Sequence, residues 1–536
     1  LRRQVAELFI VRASGFNLDS QRLYPNLEES NSNLKRLLEE GVGGVIFLGG
    51  TVKELEIRCN VLKKWSGKPL LLCADIEEGV GQRFYGGTDF VPPMGVAQIY
   101  KKDQDLGIYI AEKIGYLTGK EAKNIGLNCL LAPVCDINNN SDNPVINLRA
   151  WGEDPEVVES LTCAYQRGAF RANILTCAKH FPGHGNSEID SHLDLPEIHS
   201  DLYQLNKYEL IPFKSLISQG VNSVMVGHLF FPHIDPIYPA TLSKRFVDDL
   251  LRNQLCFDGL VLTDALVMSA ISNKYSSGDA SVMAFEAGID LLVMPKDIDE
   301  AIDSLTEAIY SGRISSERLY KSIKRRQRQI DLISSKIDFE NKEDSNTSKF
   351  LFESSEFNKY LISKSIFVSK QYISQVNSDD INLIQVDNFD QVSNKFTPAL
   401  SLPKKLGFRN LIVHPFGLSP WRKNNKNFLE LGEIGEGNLL IQLFVRGKPF
   451  IGLDYYNYHW VEEIKKLEME KRLLGIVIYG CPYLFENIKK STDSSIPLAY
   501  SPSQTKEAQS QILNLLFKYK ISLKNKDQNL INEFTD

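Results

Sequence analysis

Between residues 1 and about 335, short apolar runs alternate with longer amphipathic segments, and this alternation is the strongest constraint on the fold. Short apolar runs indicate buried strands, and the amphipathic segments between them, such as 105–123 and 156–171, indicate helices. Strands alternating with helices predict parallel βαβ units, and eight runs fit a TIM-like (β/α)8 barrel. The runs are 8–11, 44–48, 70–74, 127–134, 174–178, 223–227, 259–263 and 291–294.

Several of these runs end in side chains that are capable of chemistry. They are Asp75, Asp136, Lys179 with His180, His228 and Asp264. In a (β/α)8 barrel the active site lies at the C-terminal ends of the strands, where the βα loops meet. A doubly wound sheet would also give the alternation, but it would not bring so many strand ends around one pocket. We therefore predict a catalytic barrel with its site at that rim.

The second half of the chain predicts a separate, smaller domain. A polar stretch with few apolar residues, DFENKEDSNTSK, follows the last helical pattern of the barrel and is typical of a linker. Strand patterns at 381–385, 411–414, 439–445, 475–479 and 496–499 then alternate with helical patterns. This order predicts an αβα sandwich. We expect the barrel at 1–335, the linker at 336–350 and the sandwich domain at 351–536.

Composition limits the classes of partner. A net charge of −6 over 536 residues gives no reason to propose nucleic acid or an anionic membrane, and no apolar run is long enough to span a bilayer. We expect a cytoplasmic monomer, although a chain that begins at Leu1 leaves a removed signal peptide open. Cys73, Cys129, Cys135 and Cys177 lie in or beside apolar runs outside any CxxC pair, which predicts buried free thiols.

The segment 176–196, TCAKHFPGHGNSEIDSHLDLP, holds the densest group of ionisable side chains. His180, His184 and His192 lie within it, and histidine suits proton transfer because its ordinary pKa is close to neutral. Asp190 precedes His192 by two residues and could orient its imidazole. A proline and two glycines exclude a helix across the middle, so the pattern predicts a buried strand that opens into a polar loop.

A metal site is the alternative reading of these histidines. His180 and His184 have the i, i+4 spacing of zinc ligands on a helix. Pro182 and Gly183 between them are incompatible with that helix. We therefore predict no metal and no other cofactor.

KHFPGHG followed by DSH resembles the signature of family 3 glycoside hydrolases, specifically the β-N-acetylglucosaminidase branch. The resemblance implies a retaining mechanism in which Asp264, in GLVLTDALVM, is the nucleophile; Ala265 replaces a second Asp that many relatives carry. It also implies that His192, paired with Asp190, is the acid/base in place of the usual carboxylate. The glycines of KHFPGHG predict a loop that can swing over a bound sugar.

The resemblance further implies a sugar pocket at the barrel rim. The segment ADIEEGVGQRF resembles the family's DxExGxxxQR-like stretch, with Ile76, Glu78 and Val80 departing from its commonest form. Arg149, in INLRAWGEDP, matches an arginine of the family's pocket. The residues that the resemblance assigns to substrate binding are Asp75, Arg83, Arg149, Lys179, His180 and His228; Asp136 and Asn147 are weaker candidates.

The resemblance implies an exo-acting, retaining β-N-acetylglucosaminidase similar to bacterial enzymes that trim GlcNAc from peptidoglycan fragments. A β-glucosidase or a β-glycoside phosphorylase using the same loop remains an alternative. Phosphate is an anion and would tolerate a histidine better than a neighbouring carboxylate. A catalytically inactive carbohydrate-binding protein on this scaffold is a third possibility, which the presence of Asp264, Asp190 and His192 disfavours.

Overall fold

A computed structural model describes residues 1–187, 191, 193–334, 347–386, 397–413, 435–446 and 460–518. These residues divide into two compact units, one covering Leu1–Leu361 and the other beginning at Ile362. The predicted linker at 336–350 falls mostly outside the described residues. The limits 1–335 and 351–536 therefore stay a prediction.

Eight parallel strands form the sheet of the first unit. They are β1 (Phe9–Ala13), β2 (Gly44–Phe47), β3 (Leu71–Ala74), β4 (Cys129–Leu130), β5 (Leu175–Phe181), β6 (Ser223–Val226), β7 (Leu260–Thr263) and β8 (Leu292–Val293). Their hydrogen-bonded order is β8-β1-β2-β3-β4-β5-β6-β7, and a bridge from Leu262 to Leu291 brings the two edges together. The sheet is thus a nearly closed barrel, which confirms the predicted (β/α)8 fold.

Every residue of these eight strands is buried, because helices cover the outside and side chains fill the inside. A cavity of about 10 Å³ remains at the base of the barrel. Its lining comes from strand residues and from residues next to the strands: Ile10, Leu71, Cys73, Cys129, Leu131, Leu175, Asn222, Ser223, Leu260, Leu262 and Leu291. The alternate residues Leu71 and Cys73 of β3, and Leu260 and Leu262 of β7, mark the face of these strands that points inward.

The predicted helices follow the strands, with two differences. The pattern at 202–219 forms two helices, Leu202–Lys207 and Leu210–Ser218, and the segment Arg245–Gln254 is a π-helix. The other helices of the barrel unit are Arg2–Ala6, Asn31–Glu40, Val52–Ser66, Pro93–Tyr100, Gln104–Asn124, Pro155–Arg171, Ser269–Ser272, Ser277–Ala287, Ile298–Tyr310 and Ser316–Ser334. Helix Thr347–Ser365 follows and ends at the start of the second unit.

The second unit contains a six-stranded sheet with an apolar cluster on each face. Its strands are β9 (Phe367–Val368), β10 (Ile381–Val386), β11 (Arg409–Val413), β12 (Leu439–Val445), β13 (Leu473–Gly480) and β14 (Leu498–Ser501). The order is β9-β14-β13-β12-β10-β11, and all pairs are parallel except β9 with β14. Helices Pro398–Leu406, Trp460–Met469, Pro482–Ser491 and Lys506–Leu516 complete the predicted αβα sandwich.

All eight cysteines lie within the described residues and are free thiols. Seven of them are buried, including the four expected from the sequence, whereas Cys256 is exposed. Among the described residues, no helix combines the length and the apolar character that a membrane crossing requires.

Candidate active site

Three charged side chains continue the inward-facing rows of the barrel strands. Asp75 follows Cys73 by two residues, Asp264 follows Leu262 by two, and Lys179 lies four residues after the cavity-lining residue of β5. Side chains of a strand alternate between its two faces, so all three point to the barrel interior at its C-terminal rim. The fold therefore brings Asp75, Lys179 and Asp264 to the end of the barrel at which the sequence predicted the site.

The Lys179 ammonium group connects two strands that are not neighbours. Its Nζ lies 2.7 Å from Asp75 Oδ1 and 2.6 Å from Glu77 Oε1. Because β4 separates β3 from β5, these contacts cross the inside of the barrel. Arg149 binds the same Glu77 carboxylate in bidentate geometry, with Nε–Oε2 and Nη2–Oε1 distances of 2.8 and 2.9 Å. Such paired geometry fixes the position of a carboxylate as well as its charge.

The charges of this cluster stabilise one another. Burial alone would raise the pKa of Glu77, but Arg149 and Lys179 outweigh it and hold that pKa well below its ordinary value. Burial would lower the pKa of Lys179, but the carboxylates of Asp75 and Glu77 raise it. The pKa of Arg149 is raised as well, because Glu77 outweighs burial. At neutral pH, Glu77 is therefore a carboxylate and both of its partners are cations.

Asp136 fixes His180 and the loop that follows it. Its Oδ2 lies 2.6 Å from His180 Nδ1, and its Oδ1 accepts a 2.7 Å hydrogen bond from the backbone N–H of His184. Burial would raise the pKa of Asp136, but His180 and His184 outweigh burial and lower it. His180 Nε2 lies 3.5 Å from Arg149 Nη2, and arginine can only donate. Asp136, a weak candidate in the sequence, is thus the group that orients His180.

Arg83 binds the backbone of Asp75 rather than the Asp75 carboxylate. Its Nε donates a 3.1 Å hydrogen bond to the carbonyl of Asp75. Gln82 holds the backbone two residues further on, since its Oε1 accepts from the backbone N–H of Glu77 at 2.7 Å. The turn 75–83 is therefore pinned by its own side chains, which fixes the directions of Asp75 and Glu77.

Asp264 is half-buried at the end of β7, and the backbone on either side of it is fixed. Its Oδ1 accepts a 2.8 Å hydrogen bond from Ala265 N–H, and its own N–H donates to the Val226 carbonyl at 3.0 Å. The fully buried His228 ring places Nε2 3.0 Å from the Ala265 carbonyl and Nδ1 2.8 Å from Thr241 Oγ1. The structure therefore places His228 beside the backbone that carries Asp264.

Asp190 and His192, the predicted acid/base pair, lie outside the described residues. The first part of their loop, up to residue 187, is described and largely buried. Gly185 packs against the Ile137 carbonyl, which a Cβ atom would approach to 1.7 Å, and Gly183 adopts a φ of 137° next to Glu209. Both glycines are explained by close packing and backbone geometry at this part of the loop.

Sequence reasoning missed Glu77 and gave His184 only a metal-binding alternative. The signal for Glu77 was present, because it is the glutamate of the DxE pattern that begins at Asp75. Both nitrogens of His184 lie against serine hydroxyls, Nδ1 against Ser187 and Nε2 against Ser191. In the part of the chain that is described, no three His, Cys, Asp or Glu side chains are grouped in a way that could hold a metal ion.

Two family models match the chain. Residues 1–328 match the Glycosyl hydrolase family 3 N terminal domain, and residues 373–518 match the Bacterial Glycosyl hydrolase family 3 C-terminal domain. The first match includes all eight barrel strands and all of the site residues named above, and the second includes β10 to β14.

Curated relatives match about half of this chain. The β-hexosaminidase A of Pseudoalteromonas piscicida is 33% identical over 48% of this chain and 46% of its own length, so the chain spans about half of that relative. The β-hexosaminidase of Nitrosomonas eutropha is 33% identical over 49% of this chain and 77% of its own. The solved structure of a family 3 β-N-acetylglucosaminidase from Paenibacillus sp. str. FPU-7 is 25% identical, covers 97% of this chain and 96% of its own, and has a TM-score of 0.78.

Proposed function

The chain belongs to glycoside hydrolase family 3, and we propose that it is an exo-acting retaining β-N-acetylglucosaminidase that releases terminal GlcNAc from peptidoglycan fragments. The proposal is supported by the buried Asp75–Lys179–Glu77–Arg149 cluster and by the position of Asp264 after β7, a strand that ends at the same rim of the barrel. A charged cluster of this kind can bind sugar hydroxyls, and a strand-end carboxylate beside it can attack the anomeric carbon. The names of the curated relatives support a hexosaminide substrate, and the name of the Paenibacillus structure supports GlcNAc as the sugar.

In this proposal the cluster binds the non-reducing sugar. Asp75 is less buried than its partners, with 22% of its side chain exposed against 1% for Lys179, so its free oxygen positions can accept from sugar hydroxyls. Lys179 and Arg149 donate to hydroxyls of the same ring, and His180 makes a further polar contact with it. Glu77 keeps Lys179 and Arg149 charged and oriented, and Asp136 orients His180. Such preorganisation reduces the rearrangement that the transition state requires.

The proposed chemistry has two steps, and each is balanced by proton transfer. Asp264 attacks C1 and forms an ester bond to the sugar, the C1–O bond to the aglycone breaks, and His192 gives its proton to the departing oxygen. Water then attacks C1, His192 takes a proton from that water, and the Asp264 ester bond breaks. Asp190 stabilises the imidazolium of His192 before its proton leaves. His228 positions Asp264 through the Ala265 carbonyl.

Substrate choice and reaction type can be tested together. We expect the purified protein to hydrolyse an aryl β-N-acetylglucosaminide at least about tenfold more efficiently than the aryl β-glucoside, a difference of roughly 1.4 kcal/mol in transition-state binding. A muramidase digest of peptidoglycan should release free GlcNAc. Adding phosphate should leave the rate and the product unchanged, whereas formation of a sugar 1-phosphate would identify a phosphorylase. Well-folded protein that turns over neither aryl substrate would favour a binding protein.

Replacing His192 with alanine tests the acid/base role. Loss of proton donation should lower kcat/KM by roughly 10²–10⁴-fold for a substrate with a poor leaving group such as phenol. A dinitrophenyl substrate, whose leaving group needs no proton, should form the glycosyl-enzyme at close to the wild-type rate. Azide should then accelerate turnover of the intermediate and give the β-glycosyl azide. Equal losses on both leaving groups would remove His192 from the proposed role.

A further inference from the structure

The surroundings of His184 are not explained by the roles in substrate binding and proton transfer that are proposed above for other residues. Its ring is 1% exposed and touches two serines of its own loop, with Nδ1 2.7 Å from Ser187 Oγ and Nε2 3.0 Å from Ser191 Oγ. Ser191 is 2% exposed although it lies in a polar stretch of sequence. The backbone N–H of His184 binds Asp136, the carboxylate that orients His180.

The burial and the hydrogen bonds of His184 together indicate a neutral ring and which of its two nitrogens carries the proton. Burial lowers its pKa to about 4, and Asp136 offsets that effect only in part, so the ring is neutral near pH 7. Ser187 Oγ also lies 3.1 Å from the His184 carbonyl, to which it can only donate. With its proton donated to that carbonyl, the Ser187 hydroxyl accepts a hydrogen bond from His184 Nδ1–H. His184 Nε2 is then an acceptor, and the Ser191 hydroxyl donates to it.

We propose that His184 is a positioning residue that anchors Ser191 and, through it, the catalytic pair on either side. The proposal rests on the function proposed above, because Ser191 stands between Asp190 and His192 in the sequence. A hydroxyl fixed by a rigid imidazole sets the point from which both neighbours extend. Asp136 also binds the backbone N–H of His184. The same carboxylate therefore positions His180, the proposed sugar-binding residue, and His184, the proposed anchor of the acid/base residue.

The functional effect of losing this anchor should exceed its effect on stability. One neutral hydrogen bond contributes little to the stability of a domain of this size. Misplacing a reacting group by about 1 Å can lower a rate by roughly a hundredfold. The loss should fall on the step that needs the proton, which separates an anchor of the acid/base from a residue that merely fills space.

The test is Ser191→Ala, measured on two aryl β-N-acetylglucosaminides with leaving groups of high and low pKa. We expect kcat/KM to fall roughly ten- to hundredfold for the phenyl substrate and less than about threefold for the dinitrophenyl substrate. A double-mutant cycle with His184→Phe should show that the second change adds little to the first, since both remove the same bond. Ser223→Ala is the matched control. It removes another buried hydroxyl, which donates to the Thr176 carbonyl at the base of the barrel.

The outcomes separate this inference from the proposed function. A Ser191→Ala variant that keeps the wild-type ratio between the two leaving groups, or that loses activity equally on both, overturns the anchor. If His192→Ala changes that ratio and Ser191→Ala does not, the acid/base role stands and only the anchor falls. If His192→Ala leaves the ratio unchanged, both fall. Should His184→Phe fail to fold, Ser191→Ala with its Ser223→Ala control still decides.

Discussion

Replacing Asp264 with alanine is expected to lower hydrolysis of an aryl β-N-acetylglucosaminide by at least about 10⁴-fold, equivalent to roughly 5.5 kcal/mol of transition-state stabilisation. The variant removes the carboxylate that would form the ester with C1, and no water at that position reproduces its charge and placement. Asp264 is half-buried, and the hydrogen bond from its backbone N–H to the Val226 carbonyl does not depend on its side chain. We therefore expect the barrel to remain folded. Initial rates and circular dichroism on the same preparation check both expectations.

Azide gives this prediction a positive readout. A small anion can enter the space left by the carboxylate and attack C1 of a dinitrophenyl substrate from the same face, giving the α-glycosyl azide. His192→Ala should instead give the β product, so the two azides distinguish a nucleophile from an acid/base. Asp258→Asn is the matched control, since Asp258 precedes the same strand at its opposite end and pairs with Arg325 and Arg328. Activity of Asp264→Ala within tenfold of wild type would exclude the proposed nucleophile.

The barrel could be read from the sequence because its strands are buried on both faces. Such strands are short continuous apolar runs, and each of the eight runs overlaps one strand of the barrel sheet. The limits of β5 were less predictable. The apolar run ends at Ala178, but the strand continues through Phe181 because Lys179 finds its charge partners inside the barrel. Hydrophobicity could not show that a lysine would be buried by a salt bridge.

Of the candidate site, the sequence could predict only the residues that lie at the ends of strands. Asp75, Lys179 and Asp264 lie at one rim because the parallel strands of a barrel end there, and the sequence carries that information in its spacing. The role of Glu77 depends on Arg149, 72 residues away, and no local pattern reports a contact of that kind. In the second unit, the edge strand β9 was not predicted from the sequence. It has only two residues, which are too few to give a periodic signal, and it pairs antiparallel with β14.

Glu77 is the residue for which we expect the largest effect on stability. Glu77→Gln keeps the shape of the side chain but removes the charge that lies between Arg149 and Lys179. Arg149 would then lose its bidentate partner and Lys179 would keep only Asp75, and breaking a buried pair in this way costs about 3–5 kcal/mol. We expect the free energy of unfolding in denaturant to fall by that amount, and KM to rise because Lys179 and Arg149 lose their fixed positions.

The pH dependence identifies the charge as the cause. The pKa of Glu77 is lowered in the folded protein, so its contribution to stability is complete above the ordinary value of 4.5 and is lost as pH falls toward the lowered value. The difference in unfolding free energy between wild type and Glu77→Gln should therefore shrink below about pH 4.5. Glu286→Gln is the control, because Glu286 makes a bidentate pair with an Arg313 side chain that is 56% exposed. That surface pair should be worth less than about 1 kcal/mol. Equal losses in the two variants would mean that burial of the Glu77 cluster contributes nothing to the fold.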